Sequence, residues 1–212
     1  MKNYYLIPAQ GEEREEEALS QSSSNLLETR GDFKLHAARM HLEHLRQMES
    51  EFGSLVASEI RIDAEIELDE FFYHLVGVKD ALLHEINREF KLHIKSRNVA
   101  FDCVCAKLKN KKGLRANVPN ILMQDLTKMQ FHKKKKGRQH SLGIVVEFNN
   151  HSKHRAMIRK YIVMAGRIIV FLRYPNTNGR MKKPVLDYLD DSYKRVEKLQ
   201  EIVRKKIAKY RI

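Results

Sequence analysis

Leu68-Asp69-Glu70-Phe71-Phe72-Tyr73-His74-Leu75-Val76-Gly77-Val78-Lys79-Asp80-Ala81-Leu82-Leu83-His84-Glu85-Ile86 is the stretch whose spacing decides the fold class. Leu68, Phe71, Phe72, Leu75, Val78, Leu82, Leu83 and Ile86 recur at steps of three and four, and Phe90 and His93 extend the row. Such steps hold one face of an α-helix, whereas a half-buried strand alternates in steps of two. A helix is therefore predicted from about Asp69 to Ile94. Its apolar face is broad enough to require helical partners.

Candidate partners lie on both sides of it. Upstream, Asp32 is a plausible N-cap for a helix whose stripe runs through Leu35, Ala38, Leu42, Leu45, Met48, Phe52 and Leu55. At the C-terminal end, Leu189, Tyr193, Val196, Leu199, Val203, Ile207 and Tyr210 form the stripe of a helix over about Pro184–Tyr210. Its outer face carries Lys194, Arg195, Lys198, Arg204, Lys205, Lys206, Lys209 and Arg211. Shorter helices are expected after Ser96, with Val99, Cys103, Ala106 and Leu108 inward, from Pro119 to about Phe131, and from about Gln139 to Asn150. Ile60 to Leu68 alternates like a strand, and an extended connector fits it equally. Tyr161–Met164 and Arg167–Leu172 flank Ala165-Gly166; a small β-hairpin near 159–174 or a buried helix satisfies that pattern. The fold class is thus mainly α, an antiparallel helical bundle.

The chain is organised as one bundle domain, 32–212, behind an acidic and Ser-rich N-terminal arm, 1–31. A basic insertion is expected over about 107–138, with one acid, Asp125, among its cations. With 42% hydrophobic and 32% charged residues, a real core is expected and wholesale disorder is not. The net charge of +13 points to a polyanionic partner, nucleic acid before an anionic membrane surface, and a solvated basic surface has the same charge. The two cysteines, Cys103 and Cys105, sit about 200° apart on a helix, so neither a disulfide framework nor a Cys-based zinc site follows. The first residues are too soon polar for a signal peptide, and the longest apolar run, Tyr161–Leu172, is broken by Arg167. A cytoplasmic protein with no membrane partner is expected.

Chemistry concentrates in Asn149-Asn150-His151-Ser152-Lys153-His154-Arg155. Metal-free RNA cleavage needs a base for the 2′-hydroxyl, an acid for the leaving oxygen, and cations on the phosphorane oxygens. His154 offers the acid or base, His151 lies on the same face if the helix continues, and Lys153 or Arg155 offers the cation. A helix-capping role for the two asparagines, with His154 on a buried carbonyl, accounts for the same residues without chemistry. Lys133, Lys134, Lys135, Lys136 and Arg138, beside Phe131, would track phosphates; a solvated loop has the same composition.

The order of helices, with Asn150 and His154 in this place, resembles the HEPN superfamily of helical bundles. The resemblance covers roughly 32–95 and 139–210. It implies a homodimer, and a metal-independent endoribonuclease site built on an Arg-Asn-x-x-x-His signature. Toxin or defence proteins of this kind imply an antitoxin-like protein partner. The Arg position is Asn149 here, so a degenerate ribonuclease without a cofactor is implied, with Asn150, His151, His154 and Arg155 as its catalytic candidates. The alternative is a non-catalytic helical homodimer serving as an interaction module.

Among histidines, His41-x-x-His44 and Glu70-x-x-x-His74 have helical ligand spacing, but no Glu-x-x-His repeat appears on two helices. No metal site is expected from that pattern.

Overall fold

In a computed structural model, the protein is described over residues 29–129, 141–154, 158, 162–165, 168–173 and 180–211. The elements are α1 (Arg30–Phe52), α2 (Arg61–Glu89), a 3-10 turn (Ser96–Asn98), α3 (Phe101–Lys109), α4 (Val118–Leu126), a second 3-10 turn (Thr127–Met129) and α5 (Ser141–His154). A small sheet, β1 (Ile162–Ala165), β2 (Ile168–Arg173) and β3 (Arg180–Pro184), precedes α6 (Val185–Tyr210). Helices pack on helices, as the apolar periodicity requires. α2 is the hub, in contact with α1, α3, α5 and α6. Among the described residues no helix is long and apolar enough to cross a membrane.

The first helix starts earlier than expected. Thr29, not Asp32, is the N-cap: the Asp32 N–H donates to Thr29 Oγ1 at 3.3 Å, and the Thr29 N–H donates to Asp32 Oδ2 at 3.1 Å. This reciprocal box leaves Asp32 as the third helical residue. Gly53 ends the helix at φ 69°, a left-handed conformation that suits glycine. Phe52 points out, so the buried stripe is Ala38, Leu42 and Leu45, joined by Leu55 beyond the helix end.

The second helix begins eight residues before Asp69, which removes the alternating strand. Ile60, Ala64 and Leu68 are buried at steps of four, whereas Ile62 and Ile66 are 71% and 54% exposed. Those outward isoleucines created the apparent alternation. The helix stops at Phe90, and Lys91 and His93 take positive φ. Asn87 fixes the exit by donating to the Ile94 carbonyl at 2.9 Å and accepting the Ile94 N–H at 3.1 Å. His93 is therefore exposed and is not part of the apolar row.

In α3, Leu108 is buried as expected, but Val104 takes the other inward place, and Cys103 and Ala106 are exposed. Of the expected insertion, Val118–Met129 is bundle core: Leu122, Leu126 and Met129 are fully buried in the same cluster as α2 and α6. The run 130–140, with Lys133–Lys136 and Arg138, lies outside the described residues, as do 1–28 of the arm. The hairpin reading holds over Ile162–Ala165 and Ile168–Arg173, with Ala165 opposite Ile168. A third antiparallel strand, β3, extends it. Every expected stripe position of α6 is buried except Tyr210, which is partly exposed.

Two cations of α6 are structural rather than outward. Arg204 donates to Asp32 Oδ1 at 2.6 Å, to Asp32 Oδ2 at 3.1 Å, to Glu85 at 3.4 Å and to the Thr29 hydroxyl. Gln200 adds a 2.7 Å bond to Asp32. Lys206 binds Asp125 at 2.7 Å and the Ile121 carbonyl at 3.0 Å, and Lys128 completes the Asp125 site. Burial alone would raise both carboxyls. For Asp32 the bonds from Arg204, Thr29 and Gln200 outweigh it, and for Asp125 those from Lys128 and Lys206 do, so both sit below the usual 3.8. A depressed carboxylate stabilises the fold above its unfolded pKa and loses that contribution as pH falls through the folded value. Urea unfolding midpoints should therefore hold between about pH 7 and pH 5 and drop below about pH 4. Arg204→Met should flatten part of the drop and cost about 1–3 kcal/mol at neutral pH, since it takes the charged donor from Asp32 and Glu85.

Candidate functional site

α5 explains why the motif segment sits where it does. Leu142 to Asn149 are all buried, including Glu147, because α2, α6 and the Thr127–Met129 turn cover the helix. Among its described side chains it meets solvent only in its last turn, where Asn150 and Ser152 are partly exposed and Lys153 is exposed. That turn lies on α2, where the Ser152 hydroxyl donates to Asp69; beyond the helix end, the Ile158 N–H donates to Glu65. His151 is 5% exposed and has interaction partners. Asn149 is 4% exposed, and its Oδ1 has no hydrogen-bond partner among the described residues. His154 ends α5, its side chain lying outside the described residues, as does all of Arg155.

Lys153 is the motif residue whose contacts build a site. Its Nζ lies 4.5 Å from the Tyr73 ring centroid, and Lys34 Nζ lies 4.1 Å from the same centroid. Two ammonium groups thus converge on one partly exposed aromatic ring. They line a groove of about 160 Å³ together with Arg30 of α1 and Gly77, Asp80 and His84 of α2. Three fixed cations there face one carboxylate. Small-molecule pockets usually run to about 300–1,000 Å³, so this groove suits a phosphate-sized group rather than a whole cofactor.

The helices place these groups for simple reasons. Thr29 caps α1 and leaves Arg30 and Lys34 four residues apart on one face. Lys34 is buried for most of its length, its stem crossing α2 at Gly77. A Cβ at position 77 would stand 3.1 Å from Lys34 Cδ and 3.2 Å from Cε, so the glycine admits the stem. Alanine in a helix interior normally gains about 1 kcal/mol over glycine. Gly77→Ala should forfeit most of that gain by displacing the lysine. A urea midpoint raised by the whole increment would refute the tight fit.

Lys34 Nζ also reaches His74 Nδ1 at 3.3 Å. Burial, then the charges of Lys34 and His41, lower the His74 pKa to about 4, so its ring is neutral at physiological pH. An ammonium donating to Nδ1 leaves the proton on Nε2, which faces Glu70 Oε2 at 3.4 Å. The His74 ring in turn stacks on His41 with centroids 5.4 Å apart.

Sequence reasoning singled out Lys153 but missed Arg30, Lys34 and Tyr73. The one signal was Tyr73 itself, polar-tipped and off the apolar face of α2. No protein family, curated protein or solved structure matches this chain, so the functional reading rests on these side chains.

Proposed function

We propose that the protein binds RNA through the Lys34–Tyr73–Lys153 groove and is a HEPN-like bundle with degenerate or absent nuclease chemistry. The observation that carries this reading is the pair of ammonium groups within 4.5 Å of one accessible tyrosine ring. The ammonium groups lie over the ring, and moving them onto a strand's phosphates would open a ring face to a base, the combination that single-strand recognition uses. The net charge of +13 supplies the long-range attraction. Position 149 supports degeneracy: a buried asparagine stands where the family signature has its phosphate-binding arginine, and asparagine brings no charge.

Fluorescence anisotropy with a labelled single-stranded RNA tests it. Affinity should fall with salt at a log–log slope of about −0.7 per phosphate contact. No measurable binding at about 50 mM salt would end the RNA reading. Cleavage of an RNA pool in EDTA by wild type and by His154→Ala tests the residual chemistry. Equal, near-zero rates leave a binding protein only.

A second reading, a helical homodimer without chemistry, is favoured by a different observation. Phe33 and Met40 on α1 and Ile62 and Ile66 on α2 are large apolar side chains left exposed on neighbouring helices. Sedimentation over a wide concentration range decides it: a monomer throughout removes this reading.

A further inference from the structure

Beside the groove, the seam between α1 and α2 gathers ionisable groups that RNA binding does not use. His41 and His44 lie one helical turn apart on α1. Glu67 of α2 reaches both, His41 Nδ1 to Oε2 at 2.6 Å and His44 Nδ1 to Oε1 at 3.4 Å. The three ligand atoms all lie within 4.8 Å of one another. Two imidazoles and one carboxylate converging from two rigid helices are a donor set suited to a borderline divalent ion.

Ring orientation separates this cluster from its neighbour. An imidazole binds a metal in its own plane. The His41 and His44 rings are at 89° to each other, so their planes cross and one ion can lie in both. The His41 and His74 rings stack at 11°, so no single ion lies in both planes. His74 also faces Lys34 Nζ, a cation that would repel a metal. The alternative set, His41, Glu70 and His74, is disfavoured on both grounds. Ligands about 2.0–2.1 Å from a tetrahedral ion stand about 3.3 Å apart. The present contacts of 2.6 and 3.4 Å bracket that distance, so small rotamer changes would admit an ion.

We propose that His41, His44 and Glu67 form a His2Glu site for a divalent transition metal of the Zn²⁺ class, with its fourth position open to water. His44 is half exposed, which provides the entry path. The charges match: one carboxylate and two neutral imidazoles leave a bound dication at +1. The site does not rest on the RNA reading, since its ligands are separate from the groove.

The test uses the full chain, stripped with EDTA and titrated with Co²⁺ and then Zn²⁺ without RNA. The expected result is one Co²⁺ per chain, with visible ligand-field bands and a raised thermal midpoint. Loss of one ligand, as His44→Ala or Glu67→Gln, should weaken binding by at least about tenfold. His44→Ala changes an exposed side chain and should fold normally. His93→Ala, an exposed histidine away from the seam, should leave affinity unchanged. Absence of saturable binding by wild type, or undiminished affinity in either ligand variant, overturns the site. RNA binding repeated in EDTA keeps this outcome separate from that of the groove.

Discussion

Phe72→Ala should cost the fold about 3–5 kcal/mol, the largest single-residue loss expected in this chain. Phe72 and Phe148 are both fully buried and stack with centroids 4.9 Å apart at 13°. Phe71 meets Phe72 edge-on at 5.3 Å, and Tyr188 meets Phe148 at 5.9 Å. Truncation therefore removes the ring's own burial and leaves a cavity at the junction of α2, α5 and α6. An aromatic pair adds about 0.5–1.5 kcal/mol beyond area burial. Total stabilities are about 5–15 kcal/mol, so the loss takes a large share of the whole. For a chain of this size it should lower the thermal midpoint by roughly 6–20 °C. Tyr73→Ala is the paired control. It changes the next residue on the same helix, but on the solvent side, and should cost far less. Calorimetry giving Phe72→Ala a midpoint within a degree or two of wild type would refute the central role of this stack.

The same contrast explains what was legible in the sequence. Positions set by burial on one helix face could be read directly. Phe71, Phe72, Leu75, Val78, Leu82 and Ile86 all lie in the core, and so do the stripe residues of α6 up to Ile207. Boundaries failed where a side chain outside the apolar pattern decides them. Thr29 starts α1 through a capping box, and Asn87 ends α2 through two bonds to Ile94. Neither contact has an apolar period to reveal it. Ile62 and Ile66 misled for the opposite reason, being apolar residues that a helix leaves outside.

The candidate site was the least legible part, because its residues come from three helices. Lys34, Tyr73 and Lys153 are far apart in the chain and share no motif. Only the antiparallel docking of α1 on α2, and the burial of α5 up to its last turn, bring them together. The same docking sets His41 and His44 against Glu67. The His41–His44 pair was visible on α1, but Glu67 carries no spacing signal on α2, and nothing in the sequence sets the two helices in that register. Arg204 and Lys206 were read as outer cations for a related reason: helical spacing gives a face, and the partners Asp32, Glu85 and Asp125 come from other elements.

Under the proposed RNA reading, Tyr73→Ala/Lys153→Ala should weaken single-stranded RNA binding by roughly a hundredfold, the largest functional effect expected. A base stacked on an aromatic ring contributes about 1–3 kcal/mol, and each lost phosphate contact also shortens the salt slope by about 0.7. The two halves are separable. Tyr73→Ala should lower affinity at every salt concentration and leave the slope unchanged, because stacking releases no counterions. Lys153→Ala should lower affinity most at low salt and reduce the slope. Both side chains are exposed, so neither change should disturb folding as Phe72→Ala does. Lys34 is a poorer probe, since its buried stem and its bond to His74 tie it to the packing of α1 on α2. Equal RNA affinity for the double variant and wild type would remove the groove as the binding surface. It would leave the observed charge to the basic run at 133–138.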